Sequence, residues 1–176
     1  ETTAGRSAEG QQGQLDMFSS GGSQGLSLFS TLPSLSDTPH EYRDASPPEE
    51  VEALVRRLSG SGGFTFDTET TSLVAVDARL VGLSFALEKG KAYWVRMPQD
   101  PAKARAVLEK FRPVFEDEKI AKTGQNLKYD IEVLANYGIA VRGELFDTMV
   151  AHYLINPESR HGMDILAQEY LSYNPV

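Results

Sequence analysis

The chain has 176 residues, enough for one domain of ordinary size, and its 40% hydrophobic content can bury a core if the apolar residues are not diluted by a tail. Lys and Arg number 17 against 25 Asp and Glu, so the net charge of -8 argues against a broad basic surface for nucleic acid, and a polyanion would have to be handled locally, with metal ions. The absence of cysteine excludes a disulfide scaffold, thiolate zinc sites and cysteine nucleophiles, and no apolar run approaches the ~20 residues that span a bilayer, so no membrane role is expected.

Residues 1–47 read as a flexible interdomain linker. Ser, Gly, Gln and Pro supply 23 of the first 48 residues, no period of 3.6 or 2 is sustained, and two small apolar knots interrupt the stretch, Leu15-Asp16-Met17-Phe18 and Leu26-Ser27-Leu28-Phe29. A domain is expected over 48–176. Its first helix opens at Ser46-Pro47-Pro48-Glu49-Glu50, where a cap-type residue, proline and acids suit an N-terminus. Val51, Leu54, Val55 and Leu58 then follow at helical spacing, and Gly60-Ser61-Gly62-Gly63 stops it. Three runs rich in aromatic and aliphatic residues, 64–69, 79–87 and 92–96, are joined by short links and predict an antiparallel meander. A helix should run from Asp100-Pro101 to about Phe115, with Ala106 or Val107, Leu108, Phe111 and Phe115 on its apolar side and Pro113 limiting its last turn. A short strand at 120–123, a helix at 126–137 ending at Gly138 in the left-handed region, and helical segments after Asp147 and over 164–171 complete the chain. The order βββαβα followed by helices is that of a ribonuclease-H-like α/β domain.

Asp67 and Glu69 are two apart on the first strand of the meander, so both side chains leave one face, at the end where the strand gives way to Thr70-Thr71-Ser72. Ionised side by side among apolar neighbours they repel, which raises one pKa or calls for a cation, and magnesium and manganese prefer such hard oxygen ligands. Two solvated acids at a strand end would show the same spacing. A second cluster, Gly124-Gln125-Asn126-Leu127-Lys128-Tyr129-Asp130, falls where a strand becomes a helix and puts Asp130 in the first turn, with amides that can donate to phosphate oxygens. Its structural alternative is an N-cap at Asn126 with ordinary polar first-turn residues.

Together these residues resemble the DEDD superfamily of 3′–5′ exonucleases, in the form of the proofreading domain of bacterial DNA polymerase I. The likeness lies in Phe66-Asp67-Thr68-Glu69-Thr70 with Ser72-Leu73, in Val81-Gly82-Leu83-Ser84-Phe85-Ala86 and in the run from Gly124 to Asp130. It continues through Leu134-Ala135-Asn136-Tyr137-Gly138-Ile139, Phe146-Asp147-Thr148-Met149 and Arg160-His161-Gly162-Met163-Asp164, and covers about 64–171. The resemblance implies two divalent metals, Mg2+ or Mn2+, with Asp67 shared between them, Glu69 on the nucleophile-side metal and Asp130 on the other. It implies that these three carboxylates catalyse hydrolysis of the 3′-terminal phosphodiester of single-stranded DNA. It further implies that Leu73 packs against the terminal bases, that Thr70, Gln125, Asn126 and Tyr129 meet the single strand, and that Arg160 meets a phosphate. Each has a plain alternative: Leu73 as core, Tyr129 as a helix-packing aromatic, Arg160 as a solvated loop residue. The parent protein would then be a DNA-directed DNA polymerase with 3′–5′ exonuclease, serving replication and repair beside the bacterial nucleoid in the cytoplasm.

The family's third motif, a tyrosine four residues before a final aspartate, finds no counterpart, because Val141, Pro157 and Asn174 stand four on from Tyr137, Tyr153 and Tyr170. Asp147 and Asp164 start helices, where capping is the expected role. The chain therefore reads as a C-terminally truncated exonuclease domain, weak or inactive by itself. His40, His152 and His161 lack metal-ligand spacing. Two other readings compete: a catalytically inactive exonuclease-like spacer or DNA-binding domain, and a ribonuclease D-like 3′–5′ exoribonuclease. Lastly, Gln14-Leu15-Asp16-Met17-Phe18 resembles the short peptide by which bacterial polymerases dock on the sliding clamp, making Gln14, Leu15, Met17 and Phe18 candidate partner-binding residues.

Overall fold

A computed structural model of the protein describes residues 32–175. The clamp-peptide residues Gln14, Leu15, Met17 and Phe18 lie outside the described residues. In chain order the elements are β1 (Glu41–Asp44), α1 (Pro48–Ser59), β2 (Gly63–Thr70), β3 (Leu80–Glu88), β4 (Lys91–Arg96), α2 (Pro101–Glu116), β5 (Ala121–Gly124), α3 (Leu127–Asn136), β6 (Leu145–Asp147), α4 (Thr148–Ile155) and α5 (Met163–Leu171). The sheet order is β1-β4-β3-β2-β5-β6. Strands β2, β3 and β4 form the expected antiparallel meander, while β5 runs parallel to β2 and β6 parallel to β5. The ribonuclease-H-like order is borne out.

The helices form where local chemistry favours them. In α1, proline fills the first turn beside Glu49 and Glu50, and Arg56 and Arg57 close the last turn, so both ends complement the helix dipole. Asp100 caps α2 by accepting from the Lys103 N–H, and Pro113 is accommodated within the helix, which runs on to Glu116. The buried stripe of α2 is Ala104, Leu108, Phe111, Val114 and Phe115. Of the two alternatives for its first turns, Val107 packs partly buried against the core and Ala106 is exposed, while Ala104, in steps of four, three and four with Leu108, Phe111 and Phe115, is the buried residue that the sequence reading did not name.

These helices cover a core of five phenylalanines. Phe64 and Phe66 of β2, Phe85 of β3, and Phe111 and Phe115 of α2 lie with ring centroids 5.1 to 6.2 Å apart, mostly edge to face. Because β2 alternates, burying Phe64, Phe66 and Thr68 directs Asp67 and Glu69 to its other face. Lys122 of β5 is fully buried, its ammonium donating to the carbonyls of Asp117 at 2.6 Å and Arg142 at 2.7 Å, and burial lowers its pKa.

Two strands were not expected. β1 falls inside the segment assigned to the linker, so ordered structure starts before the expected boundary at residue 48. It pairs with β4 in parallel and is held by main-chain bonds of 2.7 Å at each end, from Glu41 N–H to the Gly90 carbonyl and from Ala45 N–H to the Trp94 carbonyl. Its residues, Glu-Tyr-Arg-Asp, are mostly exposed and polar, which suits an edge strand and leaves no apolar alternation to detect. β6, three residues long, is too short to show a period.

Phe115 touches the rings of Phe64, Phe66 and Phe85. Phe115→Ala should cost about 3–5 kcal/mol, read as a lower urea midpoint with an unchanged slope.

Candidate nuclease site

The site begins where a strand loses its neighbour. β5 pairs with β2 only from Gly63 to Thr65, so the same edge of β2 farther on has no strand to receive its amides. Asp130, in the first turn of α3, takes that place: its Oδ1 accepts the Thr68 N–H at 3.0 Å and the Thr68 hydroxyl at 2.6 Å. Gly124 allows this approach, since a β-carbon there would lie 2.4 Å from Leu127 Cδ2 and 3.0 Å from the Phe66 carbonyl oxygen. Asp130 is thus buried against the residue that separates Asp67 from Glu69.

Burial and neighbouring charge raise the pKa of two of these acids. Burial, then the charges of Asp130 and Glu69, raise the Asp67 pKa to about 6. Burial also raises the Asp130 pKa, against the two lowering bonds from Thr68, and the charge of Asp147 adds to the rise. Electrostatic reach is longer than ligand contact, however. Among the described residues no three His, Asp or Glu side chains are gathered to hold a metal ion. Glu69 is exposed, Asp130 Oδ1 is turned to Thr68, and like charges do not draw together unaided.

The strand-contact candidates divide into two groups. Leu73 is 96% exposed, which rules out its reading as core. Asn126 occupies the N-cap position of α3, in the left-handed region at φ 60°, but its side chain makes no cap bond and is exposed. Arg160 is exposed, and its guanidinium has no carboxylate partner among the described residues. The other three are committed internally. The Tyr129 hydroxyl meets the Thr70 hydroxyl and the Ser72 carbonyl, and Thr70 Oγ1 donates to the same carbonyl at 2.9 Å. These bonds fix the turn that presents Leu73. Gln125 Nε2 donates to the His161 carbonyl at 2.6 Å while its oxygen accepts the Thr148 hydroxyl.

Asp147 does more than sequence reasoning expected. It caps α4 by accepting from Met149 and Val150, and it also accepts the N–H groups of Asn126 at 3.0 Å and Leu127 at 2.8 Å, closing the start of α3. No local signal could show the second role, because it joins residues 20 apart across two strands. Asp164 does not cap: Gly162 precedes α5 and Asp164 is exposed in the first turn.

A profile of the 3′–5′ exonuclease family matches residues 42–175. The chain belongs to that family. Its exonuclease branch is that of bacterial DNA polymerase I, shown by DNA polymerase I of Pseudomonas aeruginosa, 40% identical over 134 residues, a match covering 71% of this chain and 15% of the relative. The chain spans about 15% of the length of this curated relative. Among solved structures, the POL domain of Pol1 from M. smegmatis in complex with DNA primer-template and dNTP is similar at TM-score 0.60 and 26% identity, covering 74% of this chain and 22% of that one. The catalytic core of RRP6 from Trypanosoma brucei, at TM-score 0.61 and 23% identity, covers 80% of this chain and 37% of that one and bears on the fold alone.

Two outcomes follow from the geometry of this exonuclease domain. Because the folded-state pKa of Asp67 is raised, its contribution to stability is full below the ordinary aspartate value of 3.8 and is lost as pH rises through about 6. In metal-free buffer, Asp67→Asn should therefore be more stable than wild type at about pH 8, with the gap closing toward about pH 4, as followed by urea denaturation. A gap independent of pH would contradict the raised pKa of Asp67. Asp147→Ala, which strips acceptors from two helix starts, should cost about 1–3 kcal/mol by the same assay.

Proposed function

We propose that this chain is the 3′–5′ proofreading exonuclease portion of a bacterial DNA polymerase I, acting on single-stranded 3′ ends of DNA. The observation that carries the reading is the seating of Asp130 on Thr68, between Asp67 and Glu69, beside an exposed Leu73 and a solvent-facing Asn126. The donor set fits divalent metal: every donor is a hard carboxylate oxygen, and burial, then the charges of Asp130 and Glu69, raise the Asp67 pKa to about 6, a cost to the ionised form that a cation relieves. Asp67, Glu69 and Asp130 would hold Mg2+ or Mn2+, which supplies a lowered pKa for the attacking water and neutralises charge on the phosphate.

The chain's own residues divide the rest of the work. Leu73, carried on the turn that Tyr129 and Thr70 fix, offers an apolar surface for the face of a terminal base. Asn126 and Arg160 offer donors to sugar and phosphate oxygens, and Gln125 orients the peptide between His161 and the helix start. A bacterial cytoplasmic setting and the polymerase activity of the parent belong to the same proposal. Clamp docking by Gln14, Leu15, Met17 and Phe18 rests on its sequence match alone.

The test follows 5′-labelled single strands of DNA and RNA with the intact parent polymerase in Mg2+ and in Mn2+. Asp67→Ala should lower 3′-end DNA hydrolysis by ~10³-fold or more, because metal ligands act as a unit, and should leave nucleotide incorporation unchanged. Undiminished hydrolysis would refute the assignment of Asp67. Preference for RNA would move the chain to the exoribonuclease reading, and an inactive parent to the spacer reading.

A further inference from the structure

Helices α4 and α5 leave an apolar groove that the exonuclease reading does not use. Phe146 of β6, Ile155 of α4 and Met163, Leu166, Tyr170 and Leu171 of α5 line a hollow of about 340 Å3, and no Asp, Glu, Lys or Arg borders it. Ile155 is 72% exposed and Leu171 73%, so among the described residues this surface stays in water. The polar side chains on its wall are already paired: the Thr148 hydroxyl donates to the Gln125 side-chain oxygen, and Gln125 Nε2 donates to the His161 carbonyl. An occupant therefore needs apolar side chains and no matching charge. We propose that the occupant is Leu26-Ser27-Leu28-Phe29 of the same chain, which lies outside the described residues and docks across α4 and α5.

The place where the described chain starts favours that segment. The Pro33 carbonyl accepts the Asn174 N–H at 2.8 Å, which sets the start of the described chain beside α5. The residues after α5 fold back on the helix: the Tyr173 N–H donates to the Ala167 carbonyl at 3.1 Å, and Gln168 Nε2 donates to Asn174 Oδ1 at 3.2 Å. Ala167 itself lines the groove. Phe29 precedes Pro33 by four residues, a reach of up to ~14 Å in extended chain, which matches the ~13 Å length of α5. Charge agrees with reach, because the chain carries no Asp, Glu, Lys or Arg from Met17 to Ser36.

The other apolar knot, Leu15-Asp16-Met17-Phe18, fits less well. It contains an acid, and it lies farther from Pro33, so a longer loop would have to close. The dock rests on apolar burial alone and stands whether or not the chain hydrolyses DNA.

The test is limited chymotrypsin digestion of the 176-residue chain, with the fragments identified by mass spectrometry. Phe18 and Phe29 are matched sites, each preceded by a long apolar residue and followed by serine. Cleavage after Phe29 should be ~10-fold slower than after Phe18, because proteolysis of a segment that opens and closes quickly tracks its open population. Ile155→Glu, which places a charge on an exposed wall of the groove, should bring the two rates within ~2-fold, and Val76→Glu, an exposed apolar position on another face, should keep the ~10-fold difference. Equal cleavage at both sites in wild type overturns the dock, whatever the variants do. Protection of Phe18 in place of Phe29 gives the groove to the other knot, and protection that fades on dilution gives it to a second copy; either overturns the proposal. Protection that survives Ile155→Glu places the segment elsewhere and overturns it too. In the intact parent polymerase Phe29 should stay protected, and cleavage there as fast as at Phe18 would assign the groove to other residues of the parent and overturn the dock.

Discussion

The pair of bonds from Thr68 to Asp130 Oδ1 is the contact on which the site depends. Strand β2 must stay in the sheet to bury Phe64 and Phe66, yet it runs past the end of β5, and the buried Thr68 amide has to be satisfied by something other than a strand on that edge. A carboxylate at the start of a helix meets that need and brings α3 against the residue between Asp67 and Glu69. One contact therefore both satisfies the strand and seats α3 beside the two acids. Gly124 is part of it, because a side chain there would push α3 off the strand.

Electrostatics then work against the structure. Burial raises the pKa of both Asp67 and Asp130, and each further charge in the neighbourhood adds to the rise. Such repulsion persists in a folded chain only where packing over-determines it, here by the phenylalanine core behind β2 and by Asp147, whose carboxylate closes the starts of α3 and α4 together. Perturbed carboxylates of this kind cluster at functional sites.

Around the acids the side chains separate into those that hold and those that reach. Tyr129, Thr70, Gln125 and Thr148 spend their polar atoms on main chain and on each other. Leu73, Asn126 and Arg160 stand out on the turns so held, and the turn of Arg160 is further tied through two histidines.

The sequence by itself determined the meander, the helices from 48 to 171 and the side-by-side position of Asp67 and Glu69, because these rest on local periods of 2 and 3.6, on caps and on glycine breaks. It also carried the family motifs. It could not show β1, whose exposed polar residues are held by main-chain bonds to β4, nor β6, which is shorter than any period. Nor could it tell holding residues from reaching ones: Tyr129 and Leu73 come from one motif set, but only the fold turns one hydroxyl inward and leaves the other side chain bare. The pairing of His152 with His161, the double cap at Asp147 and the seat of Asp130 on Thr68 join residues 9, 20 and 62 positions apart. Such contacts were decided by the tertiary structure, since they are set by where separate elements pack and not by the propensity of any one of them.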